Sequence, residues 1–326
     1  MKILLLARHT EREKIFRYHA SESMLLGLEE AGIEYDIHIP WLPFTGNLYA
    51  YDAMLVWSYQ GKRRNFVYWA KQFEKQVREA GIPVINSVDG CFYIHSACLG
   101  RWRDAGIPCA KFQFFKEFGD IKLRYPMILR TDGLHEGKNT YLVNNEGEAK
   151  AAIAQATHIY MTTNPRDKTI RLLNLAIEYH DVLAPDGYYH KQRTIVVGDT
   201  LIHREHSVAT GWLVNLGNRV YGDYVQTLNR DFFINGDKNR ELLLKAARAL
   251  GSDVVALDYT ILPNGECMFW EGNRHFKMHG NETFKPGDIN PATGRDYTEM
   301  VNVDRAVGRA VVKMIYDVTG KNKEVA

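Results

Sequence analysis

The sequence is short of cysteine, of net charge and of long apolar runs, and each shortage removes a class of protein. Four cysteines, at 91, 98, 109 and 267, make no Cys-x-x-Cys pair and no zinc-ligand spacing. They read as free, mostly buried thiols of a reducing compartment, which places the chain in the cytoplasm. Basic residues number 41 and acidic residues 39, a formal net charge of +2, so neither nucleic acid nor a membrane surface is indicated as a partner. The apolar opening is interrupted at Arg8, too early for a secretory signal, and no apolar run approaches membrane-spanning length. Internal repeats, low-complexity segments and a convincing Ser-His-Asp or Cys-His arrangement are lacking as well.

What is present is alternation. At 326 residues the chain is long enough for two or three structural units. Residues 2–7, 34–39, 53–57 and 83–86 read as strands, and 16–31 and 66–80 as helices stopped by Gly32 and Gly81. This pattern predicts an open, mostly parallel sheet, whose ligands gather beyond the carboxyl ends of its strands. Those ends carry Arg8, His9 and Thr10, and the run 58–64 with Lys62, Arg63 and Arg64, which reads most simply as a solvated face. A helix over 95–105 stops at Gly106-Ile107-Pro108. Strands at 125–131 and 140–143, a helix at 146–156 and a segment at 172–179 follow. From about 188 onward strands dominate, at 191–197, 200–207, 254–262 and 267–273, interrupted by helices at 240–250 and 303–318. The expected organisation is mixed α/β and α+β: a Rossmann-like unit at 1–108, a small α+β unit at 109–180 and a C-terminal unit at 181–326.

The stretch VVALDYTILPNGECMFWEGN, residues 254–273, carries the most chemistry. β-Branched and aromatic residues crowd both sides of Pro-Asn-Gly-Glu, and Asn-Gly is the strongest short-range hairpin signal. With Asn264 and Gly265 as a two-residue loop, Pro263 faces Glu266 and Asp258 lands opposite Glu271. A period of two then puts Asn273 on the face of Glu271. Facing carboxylates repel. A magnesium ion, which takes oxygen ligands and is commonly held by one or two carboxylates, would relieve them. The plainer alternative is a solvated acidic face, to which Glu266 would belong.

Between two expected strands runs Arg130-Thr131-Asp132-Gly133-Leu134-His135-Glu136-Gly137-Lys138. Gly133 and Gly137, with basic residues at each end, suit a flexible turn whose amides close over phosphates. It is not a Walker A loop, because Asn139 follows Lys138 where Ser or Thr is required. Taken in order, the Rossmann-like start, Gly-Ile-Pro, YPMILRTDGLHEGKNTYLV, LAIEYHD, DGYYHKQRTIVVGDTLIHR and the acidic hairpin resemble the ATP-grasp superfamily. The likeness is greatest to its glutathione-synthetase-like and ribosomal-protein-modifying carboxylate–amine ligases, and it spans residues 1–280.

The resemblance implies an ATP-grasp fold behind an N-terminal Rossmann-like domain, with ATP and Mg2+ as cofactors, one ion or two, and Mn2+ able to substitute. It implies that Arg130 touches nucleotide phosphates where the family usually has lysine, and that 133–138, with Gly133, Gly137 and Lys138, form a lid. Ile177, Glu178 and Tyr179 would be the hinge that reads adenine, and Asp181 a ribose partner. Arg193 and Arg204 would be catalytic, steadying the acyl phosphate and the γ-phosphate. Asp258, Glu271 and Asn273 would hold the metal. The implied reaction joins a small-molecule or peptide carboxylate to an amine through an acyl phosphate, in a homodimer formed through the N-terminal unit. Physical chemistry agrees, since phosphoryl transfer is mainly positioning plus cation stabilisation and arginine forks suit phosphate and carboxylate oxygens. The sequence departs from the family at Arg130, which is not equivalent to lysine, and at His95-Ser96-Ala97-Cys98, which supplies no second lysine. An ATP-grasp kinase and a nucleotide-binding protein with degenerate catalysis are the rival readings.

Other residues read more plainly. His203 and His206, or His275 and His279, have zinc-like spacings, but the first pair lies in a strand and the second lacks the Glu of His-Glu-x-x-His. His275 is instead a candidate to face the acceptor. Trp69, Trp102 and Trp270 read as core, while Trp212 is balanced between packing and the cleft. Arg8, His9, Arg63 and Arg64 suggest an anionic donor.

Overall fold

A computed structural model describes residues 1–7, 21–57, 64–91, 95–134, 137–163, 172–215, 217–234, 238–274, 276, 287–290 and 294–321. Three four-stranded sheets organise them. The first contains β1 (Lys2–Leu6), β2 (Glu34–His38), β3 (Ala53–Val56) and β4 (Val84–Ile85), all parallel in the order β2-β1-β3-β4. β1 and β3 are covered on both faces, which is why their apolar runs are unbroken. Ile3, Leu5, Ala53 and Leu55 pack with α1 (Ser21–Glu30) and the final helix, α7 (Tyr297–Thr319). Leu4, Leu6, Met54 and Val56 pack with Val67, Ala70, Phe73 and Val77, one stripe of α2 (Arg64–Glu79). Trp69 lies outside that stripe and is 47% exposed, so the expectation that it is core is corrected. Where α1 crosses α7 two glycines meet: a Cβ on Gly27 would stand 2.8 Å from the Gly308 carbonyl carbon.

After α3 (His95–Asp104), the second sheet takes β5 (Phe112–Phe114), β6 (Met127–Arg130), β7 (Thr140–Val143) and β8 (Leu175–Glu178) in the order β5-β8-β6-β7. Ala149, Ala152 and Ala156 of α4 (Glu146–Thr162) cover Met127, Leu129 and Ala176 on one face. The other face, with Leu175, Ile177 and Ile128, packs toward the third sheet.

That third sheet is antiparallel, in the order β10-β9-β11-β12, from β9 (Tyr189–Val197), β10 (Thr200–Ala209), β11 (Val254–Ile261) and β12 (Cys267–Asn273). Ile195, Val197, Ile202, Val254 and Ala256 pack under α7. Val196, Val255, Leu257 and Tyr259 face the opposite way, against Trp102 of α3 and Leu243 and Ala247 of α6 (Arg240–Ala249). α5 (Asp223–Ile234) meets β10 on that second side. Neither β5 nor α5 is among the expected elements: β5 is three residues long and its partner β8 lies some sixty positions away. α7 starts six residues before expectation because Asp296 accepts from the Glu299 amide at 2.8 Å while Glu299 accepts from the Asp296 amide at 3.0 Å. Among the described residues no helix is long and apolar enough to cross a membrane.

Candidate functional site

Asp258 does stand opposite Glu271, with Asn273 two positions on, opposite Ala256. The route to that register corrects the expected two-residue bend. The loop is Pro263-Asn264-Gly265: the Gly265 amide donates to Leu262 O and the Leu262 amide to Glu266 O, each at 2.8 Å. Gly265 has φ +85°, the left-handed residue that such a three-residue loop requires. Pairing therefore runs Ile261 with Cys267 and Tyr259 with Phe269, one step out of the expected register. A bulge at Trp270 restores it, so that Asp258 meets Glu271. The same extra residue lets Phe269 bury beside Tyr259 while Glu271 turns to the face of Asp258. The Trp270 indole N–H donates to Thr260 Oγ1 at 2.8 Å, and the ring is only half-buried.

The carboxylates belong to a longer row. Register places Glu205, Arg193, Asp258 and Glu271 side by side across β10, β9, β11 and β12, on the face that α7 covers further along. β10 also bulges at this level, between His203 and Glu205, so Arg204 and Glu205 both face Arg193. Arg193 grips Asp258 with two hydrogen bonds, Nε to Oδ1 at 2.5 Å and Nη2 to Oδ2 at 2.6 Å. Lys191 Nζ lies 3.2 Å from Asp258 Oδ2. Burial alone would raise the Asp258 carboxyl, but Arg193 and Lys191 outweigh it and hold it well below the usual carboxylate range. Glu205 behaves alike: burial opposes, Arg219, Arg204 and Arg193 prevail, and its carboxyl falls to about 2. Arg219 Nη1 stands 2.5 Å from Glu205 Oε1. Arg204 is lowered to about 10 by burial and by Arg193, against the pull of Glu205, Asp304 and Asp258. Its buried Nε has no hydrogen-bond partner among the described residues.

Arg130 ends β6 and is 9% exposed. Its Nη2 donates to Leu134 O at 2.7 Å, its buried Nε has no partner among the described residues, and Glu271 and Asp132 are the acids closest to it electrostatically. Gly133 and Gly137 adopt φ +79° and +70°, and a Cβ on Gly137 would stand 2.5 Å from Leu213 Cδ2, so the glycine turn leans on the 210–215 segment. Lys138 is exposed. Asp132 fixes the turn's start to α3, accepting from Ser96 Oγ at 2.6 Å.

At the other end of the second sheet Ile177 is flanked by both Phe112 and Ile128, and the Glu178 amide donates to Lys111 O at 2.8 Å. These backbone groups are already engaged in the sheet. Tyr179 lies beyond it, with its hydroxyl 3.4 Å from both Asp181 Oδ1 and the Tyr189 hydroxyl. Trp212 meets the Tyr179 ring edge-on at 6.1 Å, so it borders the residues that follow β8. Arg8, His9, Lys62, Arg63, His275 and His279 lie outside the described residues, as does the side chain of Arg64. His203 and His206 bond to separate partners, Thr194 and Gln192. Cys98 and Cys267 are buried free thiols and Cys109 is half-buried.

Lys191 and Glu205 escaped the sequence reading. Lys191 had a signal: it stands two residues before Arg193 on one strand and so shares its face. Glu205 had none, because alternation from Arg204 places it on the opposite face and only the bulge brings it round. The donors Asp258, Glu271 and Asn273 are all oxygen, a set that suits magnesium rather than zinc. Among the described residues no three His, Cys, Asp or Glu side chains converge on a metal position, so the Asn273 amide is needed to complete a trio.

A Rossmann-like parallel sheet, then a small sheet that packs toward a larger antiparallel sheet, make up the ATP-grasp fold, and this chain has it. Among solved structures it is similar to a RimK domain ATP-grasp protein from Sphaerobacter thermophilus DSM 20745, with TM-score 0.51 and 14% identity over 97% of this chain and 99% of that one. A second similarity, to N5-carboxyaminoimidazole ribonucleotide synthetase from Thermotoga maritima, has TM-score 0.49 and 11% identity, covering 85% of this chain and 69% of that one. No protein-family model and no curated protein matches the sequence.

Proposed function

We propose that the protein is an ATP- and magnesium-dependent ligase that joins a carboxylate to an amine. The observation that carries this reading is the placement of Asp258, Glu271 and Asn273 on one sheet face beside the half-buried Arg193 and the buried Arg204, within an ATP-grasp fold. Asp258, Glu271 and Asn273 would hold magnesium, which supplies charge neutralisation for the terminal phosphates. Arg193 and Arg204 offer planar forks to the transferring phosphoryl group and the carboxylate that receives it. Arg130 and Lys138 add charge at the glycine turn. Burying guanidinium N–H groups without acceptors is costly, so the Nε atoms of Arg130 and Arg204, which find no partner among the described residues, support an anion as the intended occupant of this site. Adenine would be read from Tyr179 onward, with Trp212 at its side and Asp181 near the ribose.

The chemistry follows in two steps. The substrate carboxylate attacks the γ-phosphorus of ATP, ADP leaves, and an acyl phosphate forms. The amine nitrogen then attacks the acyl carbon, phosphate leaves, and the amine's proton passes to solvent or base. The protein's part is positioning and charge stabilisation. The test is ADP release from carboxylate alone, amine alone, both together, or an alcohol. Turnover that needs both carboxylate and amine, with the condensed product seen by mass, is expected. ADP formation with an alcohol alone would make it a kinase, and no magnesium-dependent nucleotide binding would leave a protein without catalysis.

A further inference from the structure

Asn86 occupies a position that neither the glycine turn nor the charged row explains. It follows β4 at the carboxyl end of the parallel sheet, is 4% exposed, and has φ +64°, which asparagine tolerates better than other residues with a side chain. Its Oδ1 accepts from the amides of Asp253 and Val254, each at 3.2 Å, and from Arg274 Nη2. Its Nδ2 donates to Val56 O at 3.4 Å, and its own amide donates to Asp253 Oδ2 at 2.6 Å. Val254 begins the strand that carries Asp258, with Asp253 just before it, and Arg274 directly follows Asn273. A hairpin is closed at one end by its turn. Here the open end is closed as well, by one side chain from the first sheet that holds both legs.

We infer that Asn86 is a positioning residue for the Asp258–Glu271–Asn273 trio, fixing the separation of the two legs and the seating of the hairpin on the N-terminal sheet. The inference rests on the ligase reading and adds to it a link between the parallel sheet and the metal. Asn86→Gly keeps the left-handed backbone and removes the clamp, while Asn86→Asp keeps an acceptor toward the same three donors. Gly27→Ala, at the α1–α7 crossing, serves as a control that loses stability through the Gly308 backbone rather than through contact with the hairpin.

The experiment is Mn2+ binding in the presence of ADP, followed by electron paramagnetic resonance at a temperature where circular dichroism shows every variant folded. Asn86→Gly should weaken Mn2+ binding on the order of tenfold and broaden the bound spectrum, as losses behind a metal's own ligands typically do. Asn86→Asp should recover most of the affinity, and Gly27→Ala should leave it unchanged. Wild-type affinity in Asn86→Gly, or equal weakening in Gly27→Ala, would reduce Asn86 to a stability residue and overturn the inference. Glu271→Gln with undiminished Mn2+ binding would overturn the metal reading itself, and the role of Asn86 with it.

Discussion

The two faces of the antiparallel sheet, read at one level of the same strands, solve different problems. On the face shared with α7 stand Glu205, Arg193, Asp258 and Glu271, charges paired through short contacts. On the other face stand mostly uncharged hydrogen-bonding groups, with the Asp186 carboxylate at the end of the chain. Thr194 Oγ1 lies 3.0 Å from both His203 Nδ1 and the Tyr259 hydroxyl, and the Gln192 amide, its Oε1 taken by the Ile261 N–H, sets its nitrogen 3.0 Å from His206 Nε2. His190 joins His206 to Asp186 at 2.8 and 2.9 Å. Unpaired buried charge is costly, so the charged face is expected to be sensitive to a lost partner. The neutral face loses only the worth of individual hydrogen bonds. On the ligase reading, the charged face exchanges partners with a ligand and the other stays closed.

Substitutions separate the two. The largest effect should come from Asp258→Asn, which removes turnover and also leaves Arg193 and Lys191 without their shared anion, at roughly 3–5 kcal/mol of stability. A urea midpoint equal to wild type would contradict the bidentate pair. Glu271→Gln should lower turnover by at least about 10²-fold, the scale of one lost electrostatic stabiliser, with little change in unfolding. Steady-state ADP release measures it, and wild-type rates would remove Glu271 from the site.

The neutral face answers to pH. Burial and neighbouring His190 push His206 down to about 4, below an unfolded value near 6.5. Its contribution to stability is therefore present above about pH 6.5 and lost as pH falls toward 4, up to roughly 3 kcal/mol in all. Glu205 adds a loss of the same sign at lower pH, between about 4.5 and 2. Urea unfolding at pH 7.5 and 5 should show the fall, and His206→Gln should flatten it. An equal slope in that variant would assign the effect elsewhere. The smallest effect belongs to Trp270→Phe, which deletes the indole bond to Thr260 for about 1 kcal/mol and spares turnover.

The contrast also explains how much the sequence disclosed. β1 and β3 were legible because a strand buried on both faces must be apolar throughout, and α1, α2 and α3 because glycine ends each pattern. The partnership of Asp258 with Glu271 was legible by counting outward from Asn-Gly. The count succeeded because two irregularities cancel, a longer loop and a bulge, neither of which leaves a local mark. β5 and Glu205 stayed hidden because their places are set by partners far along the chain or by a break in alternation. Asn86 looked like the last residue of a strand, and its clamp exists only once two sheets meet.

The bulges at Arg204 and Trp270 sit on the two outer strands at a common height. Each bends its strand and tightens the local twist, so the sheet has a crease running through Glu205, Arg193, Asp258 and Glu271. The reach from one outer carboxylate to the other is then governed by curvature rather than by side-chain length. Flattening either outer strand would widen the trough while leaving every charged residue in its place.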